Sequence, residues 1–284
     1  MVQIQFETEK QATKIMQIMI KRQACKDQLS HITYDEDRII TVLYTEKNMA
    51  SIIQLIRDTF LTFIQEELLP QWLLKIVSEK FFYTEKHECD QIVDIALSIL
   101  NENETTNEHF WNELQLKIYY GLVSIFERKV SFSFPSFLTF RMRGVMENLI
   151  LFVEEAIDEY KMEQEYQSFI HTLRSHMMSV TPKIKQLHIL HQYYFHFYTE
   201  KFSKIESVKL RQYIDRKLHT DYPIYLDSKV LAPLVSIAPN HVFIYSDEEN
   251  HPLIVTIQRI FEERVRVLPH KMFKTKQLLA TVKK

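Results

Sequence analysis

Five histidines, His171, His176, His188, His191 and His196, crowd one short stretch of the chain. Imidazole is the commonest protein ligand for transition metals, so their spacing is the first thing to test. It works against a shared ion. On a strand, positions 188 and 196 share a face while 191 points the other way, and the interval from 171 to 176 misses a single helix face. Neither H-E-x-x-H nor C-x-x-C accompanies them, so they read as surface or hydrogen-bonded histidines, and no metal is expected.

Carboxylates offer a second chemistry. Glu147, Glu154, Glu155, Asp158, Glu159, Glu163 and Glu165 face only Lys161 after Gly144. Glu155 and Glu159 lie one helical turn apart, a spacing able to bracket a divalent ion or serve acid–base work. A partner pair of the Glu-x-x-His type is missing, since Glu85-x-His87 and Glu108-His109 are wrongly spaced. A solvated helix face is the simpler reading. For nucleophiles, no Gly-x-Ser-x-Gly exposes a serine, and Cys25 and Cys89 lack a catalytic signature.

Glycine removes further classes. The chain has 2 glycines in 284 residues, Gly121 and Gly144, where average usage would supply about 20. A phosphate-cradling loop or dinucleotide fingerprint needs several glycines close together, because only a residue without Cβ lets the backbone close on a phosphate. No cofactor is expected. The same scarcity implies little use of φ > 0 and favours helices over tight hairpins. Both glycines fall inside predicted helices, where they mark close packing or a helix irregularity.

Two segments suit binding. Phe134 to Arg143 is the most distinctive local text, and Phe140, Arg141 and Arg143 are its candidate binding residues. Arginines near a helix start run against the macrodipole, so they are held there by a partner or by a salt bridge to the acidic helix faces. At the other end, Arg264, Arg266, Lys271, Lys274, Lys276, Lys283 and Lys284 follow Glu263 without one acid. This basic tail could meet phosphates, with Arg264 and Arg266 as its candidates. Tyr193, Tyr194, Phe195, Phe197 and Tyr198 could stack on single-stranded nucleic acid. Core packing and solubility are the competing roles.

The elements that must position these residues divide into three zones. Residues 1–46 read as a small α/β region, with a strand at Val2 to Phe6, a helix from Glu9 to Cys25 and two strands between His31 and Tyr44. Residues 47–180 read as a helical bundle. Its first stripe is Met49, Ile52, Ile53, Ile56, Phe60, Phe63, Ile64 and Leu68, ended or kinked by Pro70. Its longest periodic stretch starts at Pro135 or Ser136 and runs on through Tyr160. Residues 181–284 read as an α/β domain. A hairpin spans Lys183 to Thr199, a helix runs from Glu206 to His219, and another covers Asp227 to Ile237. Strand His241 to Tyr245, helix Pro252 to Glu263 and strand Val265 to Leu268 then form a parallel βαβ unit. The fold class is mainly helical α+β, a central bundle flanked by small α/β portions.

Net charge is −2 and charged residues make up 25% of the chain, so the whole molecule makes no electrostatic demand for nucleic acid or anionic membrane. Two distant cysteines suit a reducing cytoplasm. No run approaches the roughly 18 apolar residues of a membrane span.

Phe137-Leu138-Thr139-Phe140-Arg141-Met142-Arg143, Glu154 to Tyr160, Glu165 to Ile170 and Leu253 to Val265 together resemble the YtxC-like family of sporulation-associated proteins of spore-forming Firmicutes. The likeness covers most of the chain and is strongest from about 130 to 265. The family often continues into a cysteine-containing stretch where this chain has Val267-Leu268-Pro269-His270, so no cysteine-based role is carried over. The resemblance implies a cytoplasmic protein associated with sporulation and supplies no functional residues to transfer. The reading reached from sequence is a non-enzymatic protein acting by protein–protein interaction. The alternatives are nucleic-acid binding through the basic C-terminal portion and aromatic hairpin, and an enzyme with an unrecognised site.

Overall fold

A computed structural model describes residues 1–22, 31–35, 38–102, 105–215 and 229–282, with 35, 105–107 and 281–282 described by backbone alone. Cys25, residues 216–219, Asp227, Lys283 and Lys284 lie outside the described residues; within them, the helix expected from Glu206 to His219 runs Ser207–Tyr213 and leaves helical geometry at Ile214, and the one expected from Asp227 runs Leu231–Ile237. The chain is mainly helical α+β with two small mixed sheets, and it divides into two compact units, Met1–Lys161 and Met162–Lys284.

In the first unit, β1 (Val2–Gln5) leads into α1 (Glu9–Lys21), whose N-cap Thr8 accepts a hydrogen bond from the Gln11 N–H at 3.2 Å. Strands β2 (Ile32–Asp35) and β3 (Ile39–Val42) pair antiparallel. Helix α2 (Met49–Phe63) carries the expected apolar stripe and passes into a π-helical turn, Ile64–Leu68, before α3 (Leu69–Glu79). Pro70 explains the turn: it has no N–H to give and its ring crowds the carbonyl of Glu66, so the ladder widens and the Leu69 N–H reaches back five residues to Ile64.

Helices α4 (Lys86–Asn101) and α5 (Thr105–Arg128) follow, then the two-residue strand β4 (Phe132–Ser133), α6 (Phe134–Arg141) and α7 (Arg143–Ser179). The sheet order is β2-β3-β1-β4, with β4 parallel to β1 through Ile4↔Phe132 and Gln5↔Ser133. One apolar cluster runs from Val2 to Tyr160 and joins this sheet to the helices. Polar groups on large side chains are tied to backbone where they enter it: Tyr44 OH donates to the Phe126 carbonyl at 2.6 Å, and Trp111 Nε1 to that of Leu100 at 3.0 Å.

The expected single helix from Pro135 onward is two. Met142, at φ −97° and ψ 2°, leaves the helical region after α6, and its carbonyl accepts from Met146 to begin α7. Arg141 therefore ends a helix, where the macrodipole favours a cation, and only Arg143 stands at a helix start.

The second unit comprises the later part of α7, β5 (Gln186–His191), β6 (Phe195–Thr199), β7 (Lys204–Ile205), α8 (Ser207–Tyr213), α9 (Leu231–Ile237), β8 (His241–Tyr245), α10 (Pro252–Phe261), β9 (Val265–Leu268) and α11 (Met272–Val282). The sheet order is β7-β6-β5-β8-β9, with β5, β8 and β9 mutually parallel. Leu187, Ile189, Phe197, Val242 and Ile244 pack on one face with α7 and α10 residues such as Leu173 and Ile257. Tyr245, Phe202 and Phe273 cluster on the other face with Tyr198 and Phe243, so the basic "tail" is in part a helix, α11, docked by Phe273.

Glycine scarcity does not mean avoidance of positive φ. Arg38, Phe82, Lys129, Phe202, Ala238 and Glu262 all adopt it, and neither glycine does. The glycines serve packing instead. A Cβ added at Gly121 would sit 2.8 Å from Cε2 of the buried Phe137, whereas one added at Gly144 would meet Nζ of Lys117, at 2.9 Å. Gly121→Ala is therefore expected to destabilise by about 1–3 kcal/mol. Gly144→Ala should fall within about 1 kcal/mol of wild type, on the stabilising side, because the Lys117 tip can swing away and alanine is the better helix former. Urea unfolding of both variants checks the contrast; equal losses would contradict it.

Candidate functional site

The segment singled out as Phe134 to Arg143 lines a groove in the first unit. The groove holds about 700 Å³, within the range of about 300–1,000 Å³ typical of ligand pockets. Its apolar lining includes Leu68, Trp72, Phe134, Leu138, Met142 and Ile150, and its rim carries Glu7, Gln71, Thr139, Arg143 and Glu147. Strand β4 passes straight into α6, with Pro135 at the helix start where a missing N–H costs nothing. Phe134 is thereby driven inward, its ring 4.7 Å from that of Phe60, 5.2 Å from Phe6 and 5.8 Å from Phe63. The groove meets a second, polar depression at Gln11, Leu68 and Gln71. There the π turn presents Glu67 to Lys14, paired at 2.7 Å; this hydrogen-bonded contact raises the Lys14 pKa. Gln11 Oε1 is buried without a hydrogen-bond partner among the described residues.

Phe140 is 83% exposed, and Arg141 and Arg143 are exposed on either side of the α6–α7 break. Neither arginine forms a salt bridge among the described residues. The expected bridge to the acidic helix faces is not made. Glu155 and Glu159 are exposed on α7, as a solvated face requires.

Arg264 and Arg266 belong to the second unit. Arg264 closes the short 3-10 turn Glu262–Arg264 and is half-buried; Arg266 is exposed on β9, in register with Phe243. β9 is an edge strand, where a charged side chain discourages further strand pairing.

The histidines divide by face. His188 lies against the α11 side, its Nδ1 2.9 Å from Tyr245 OH and its ring stacked 4.1 Å from Phe202. Burial, helped by Lys276, lowers its pKa to about 4, and burial lifts Tyr245 to about 12. His191 faces the other way, with Nδ1 2.9 Å from Ser246 Oγ and its ring stacked 4.3 Å from Phe195. Burial, with His251 alongside, lowers its pKa as well. Ser246 Oγ also accepts from the Glu248 N–H at 3.0 Å. Held on both sides and 1% exposed, this hydroxyl staples the loop after β8 and is not presented to a substrate. Among the described residues no group of three or more His, Cys, Asp or Glu side chains is placed to hold a metal ion. No described helix is long and apolar enough to cross a membrane.

Sequence reasoning named the groove's Arg143 but not its floor, which comes from α1, the π turn, α3, α6 and α7 together. The one local signal was the Phe134-Pro135 start of α6. No solved structure matches the chain. A curated relative named "Uncharacterized protein YtxC", from Bacillus subtilis (strain 168), is 39% identical over 205 residues, covering 71% of this chain and 72% of the relative. The model of the YtxC-like family matches residues 54–266, which include most of the groove's wall from Leu68 to Ile150, and the chain belongs to the YtxC-like family.

Proposed function

We propose that the chain acts by protein–protein interaction in the cytoplasm of sporulating cells, gripping an amphipathic helix of a partner in the groove between α1, the π turn, α3, α6 and α7. The observation that carries this reading is the apolar floor with Arg143 on its rim, which forms no salt bridge among the described residues, and with exposed Phe140 next to the lining residue Thr139 along α6. A helix laid in a groove buries residues at i, i+3, i+4 and i+7, and its polar edge then meets the rim. Arg143 selects a carboxylate on that edge, while Glu147, one turn beyond it, requires a base there and so sets the direction of the helix. The sporulation setting rests on the family resemblance.

A photo-crosslinking residue at the exposed Thr139, in full-length protein expressed in sporulating cells, tests the reading. The expected product is a crosslink to a peptide with an apolar stripe at helical spacing and acids beside it. Phe140→Ala with Arg143→Glu should lower the yield about tenfold without changing the melting temperature. A yield indifferent to those substitutions, or no crosslinked peptide, overturns it.

A further inference from the structure

The β5–β6 turn of the second unit exposes two adjacent aromatic rings, Tyr193 at 95% and Tyr194 at 75%. Such exposure has an energetic cost, since each ring could bury well over a hundred Å². The turn beneath them is braced. Gln192 Nε2 lies 2.8 Å from His270 Nε2, the Gln192 N–H reaches the Tyr194 carbonyl, and Phe195 stacks on His191 at 4.3 Å with His251 edge-on at 5.5 Å. The two tyrosines are thus carried on a fixed platform. Beside them opens a cavity of about 460 Å³ whose lining includes Phe195, His196, Arg211 and Lys229 and contains no acid among the described residues.

The second unit as a whole carries a positive excess, contributed by the seven cations that follow Glu263. Residues 162–284 hold 18 Lys and Arg against 12 Asp and Glu, whereas residues 1–161 hold 17 against 25. A near-neutral total therefore conceals a basic unit and an acidic one, and charge asymmetry between halves points to a polyanionic ligand for the basic half.

We infer that this surface binds single-stranded nucleic acid, with bases stacked on Tyr193 and Tyr194 and the backbone phosphates held by Arg211. Stacking on an aromatic face is tolerant of sequence, because every base has one, and the guanidinium acts on the phosphates that all strands share. The turn's fixed geometry spares the ligand the entropy of ordering it. The site is independent of the helix groove of the first unit, and each reading stands or falls without the other.

The test is fluorescence anisotropy of the full-length protein with labelled oligothymidylate and oligouridylate across a salt series, alongside a labelled poly-glutamate peptide. Binding to the oligonucleotides is expected to weaken as salt rises. The double substitution Tyr193→Ala and Tyr194→Ala should weaken it about tenfold or more. Arg211→Gln should lower the slope of log affinity against log salt by about 0.7, the share of one phosphate contact on a single strand. All three side chains are exposed, so melting temperatures should stay at the wild-type value and loss of binding cannot be ascribed to unfolding. Binding of either oligonucleotide with these sensitivities supports the assignment. Absence of binding at low salt overturns it, as does binding that the tyrosine substitutions leave unchanged. Preference for the peptide, with sensitivity to Arg211 alone, also overturns it and assigns the surface to an acidic protein.

Discussion

Replacing Phe134 with alanine is expected to lower the free energy of unfolding by about 3–5 kcal/mol, the cost of emptying a fully packed aromatic site. Phe134 is 1% exposed and its ring meets Phe6, Phe60 and Phe63, which come from the chain beyond β1 and from α2. The first strand, the first long helix and α6 are therefore joined through one side chain. Neighbours this far apart in sequence cannot collapse together without moving backbone, so the cavity persists and its lining loses dispersion contacts outright. Phe134→Leu should recover a large part of the loss by refilling volume. Urea denaturation with the slope compared between variants measures both. A loss below about 1 kcal/mol for the alanine variant would mean that the aromatic cluster does not organise this core.

The second large effect is a pH dependence set by His188. In the unfolded chain its imidazole titrates near 6.5, but in the fold it is held at about 4 by burial, with Lys276 adding to the effect. Between those values the unfolded chain binds a proton that the native state refuses, so stability is complete above the unfolded value and is lost as pH falls through the window. The full difference is on the order of 3 kcal/mol. The groups around the ring are Tyr245 OH, Gln186 Nε2 and the Lys276 ammonium, and none of these is an acid able to welcome the proton. His188→Gln removes the titration, so its unfolding free energy should depend less steeply on pH than that of wild type between about pH 6.5 and 4. Parallel profiles would show that protonated His188 is accommodated. Because the ring stacks on Phe202 and shares a cluster with Phe273, protonation is expected to loosen α11 first.

Much of the second unit was legible from local text. Alternation of Ile184, Leu187 and Ile189 against polar neighbours marked the hairpin, and strands His241–Tyr245 and Val265–Leu268 with the intervening proline-led helix stand where the pattern put them. Each signal there is complete within a few residues. Elements that exist only through pairing were invisible. β4 and β7 are two residues long, too short for any periodicity, and they are strands because β1 and β6 offer them open edges. Helix α11 escaped notice because its lysines masked a weak apolar stripe, anchored among its described side chains by the buried Phe273.

The candidate residues divide along the same line. Phe140, Arg141 and Arg143 were recognisable as a run that departs from helix-start preferences, yet Arg141 closes one helix and Arg143 opens another because the chain breaks at Met142. The groove itself left no local mark, for its lining is drawn from positions as far apart as Glu7 and Ile150. Tyr193 and Tyr194 were visible as aromatics, while their exposure depends on a turn braced by His270, far along the chain.

Sequence by itself determined the mainly helical α+β class, the family, the faces of the helices and the lack of a glycine-rich phosphate cradle, since these follow from residue type at short spacing. Tertiary structure alone decided where the charges separate, which histidine is held neutral, and that six of the described residues other than glycine adopt positive φ. Burial, dielectric and steric closeness are properties of neighbours in space, and the chain acquires those neighbours only by folding.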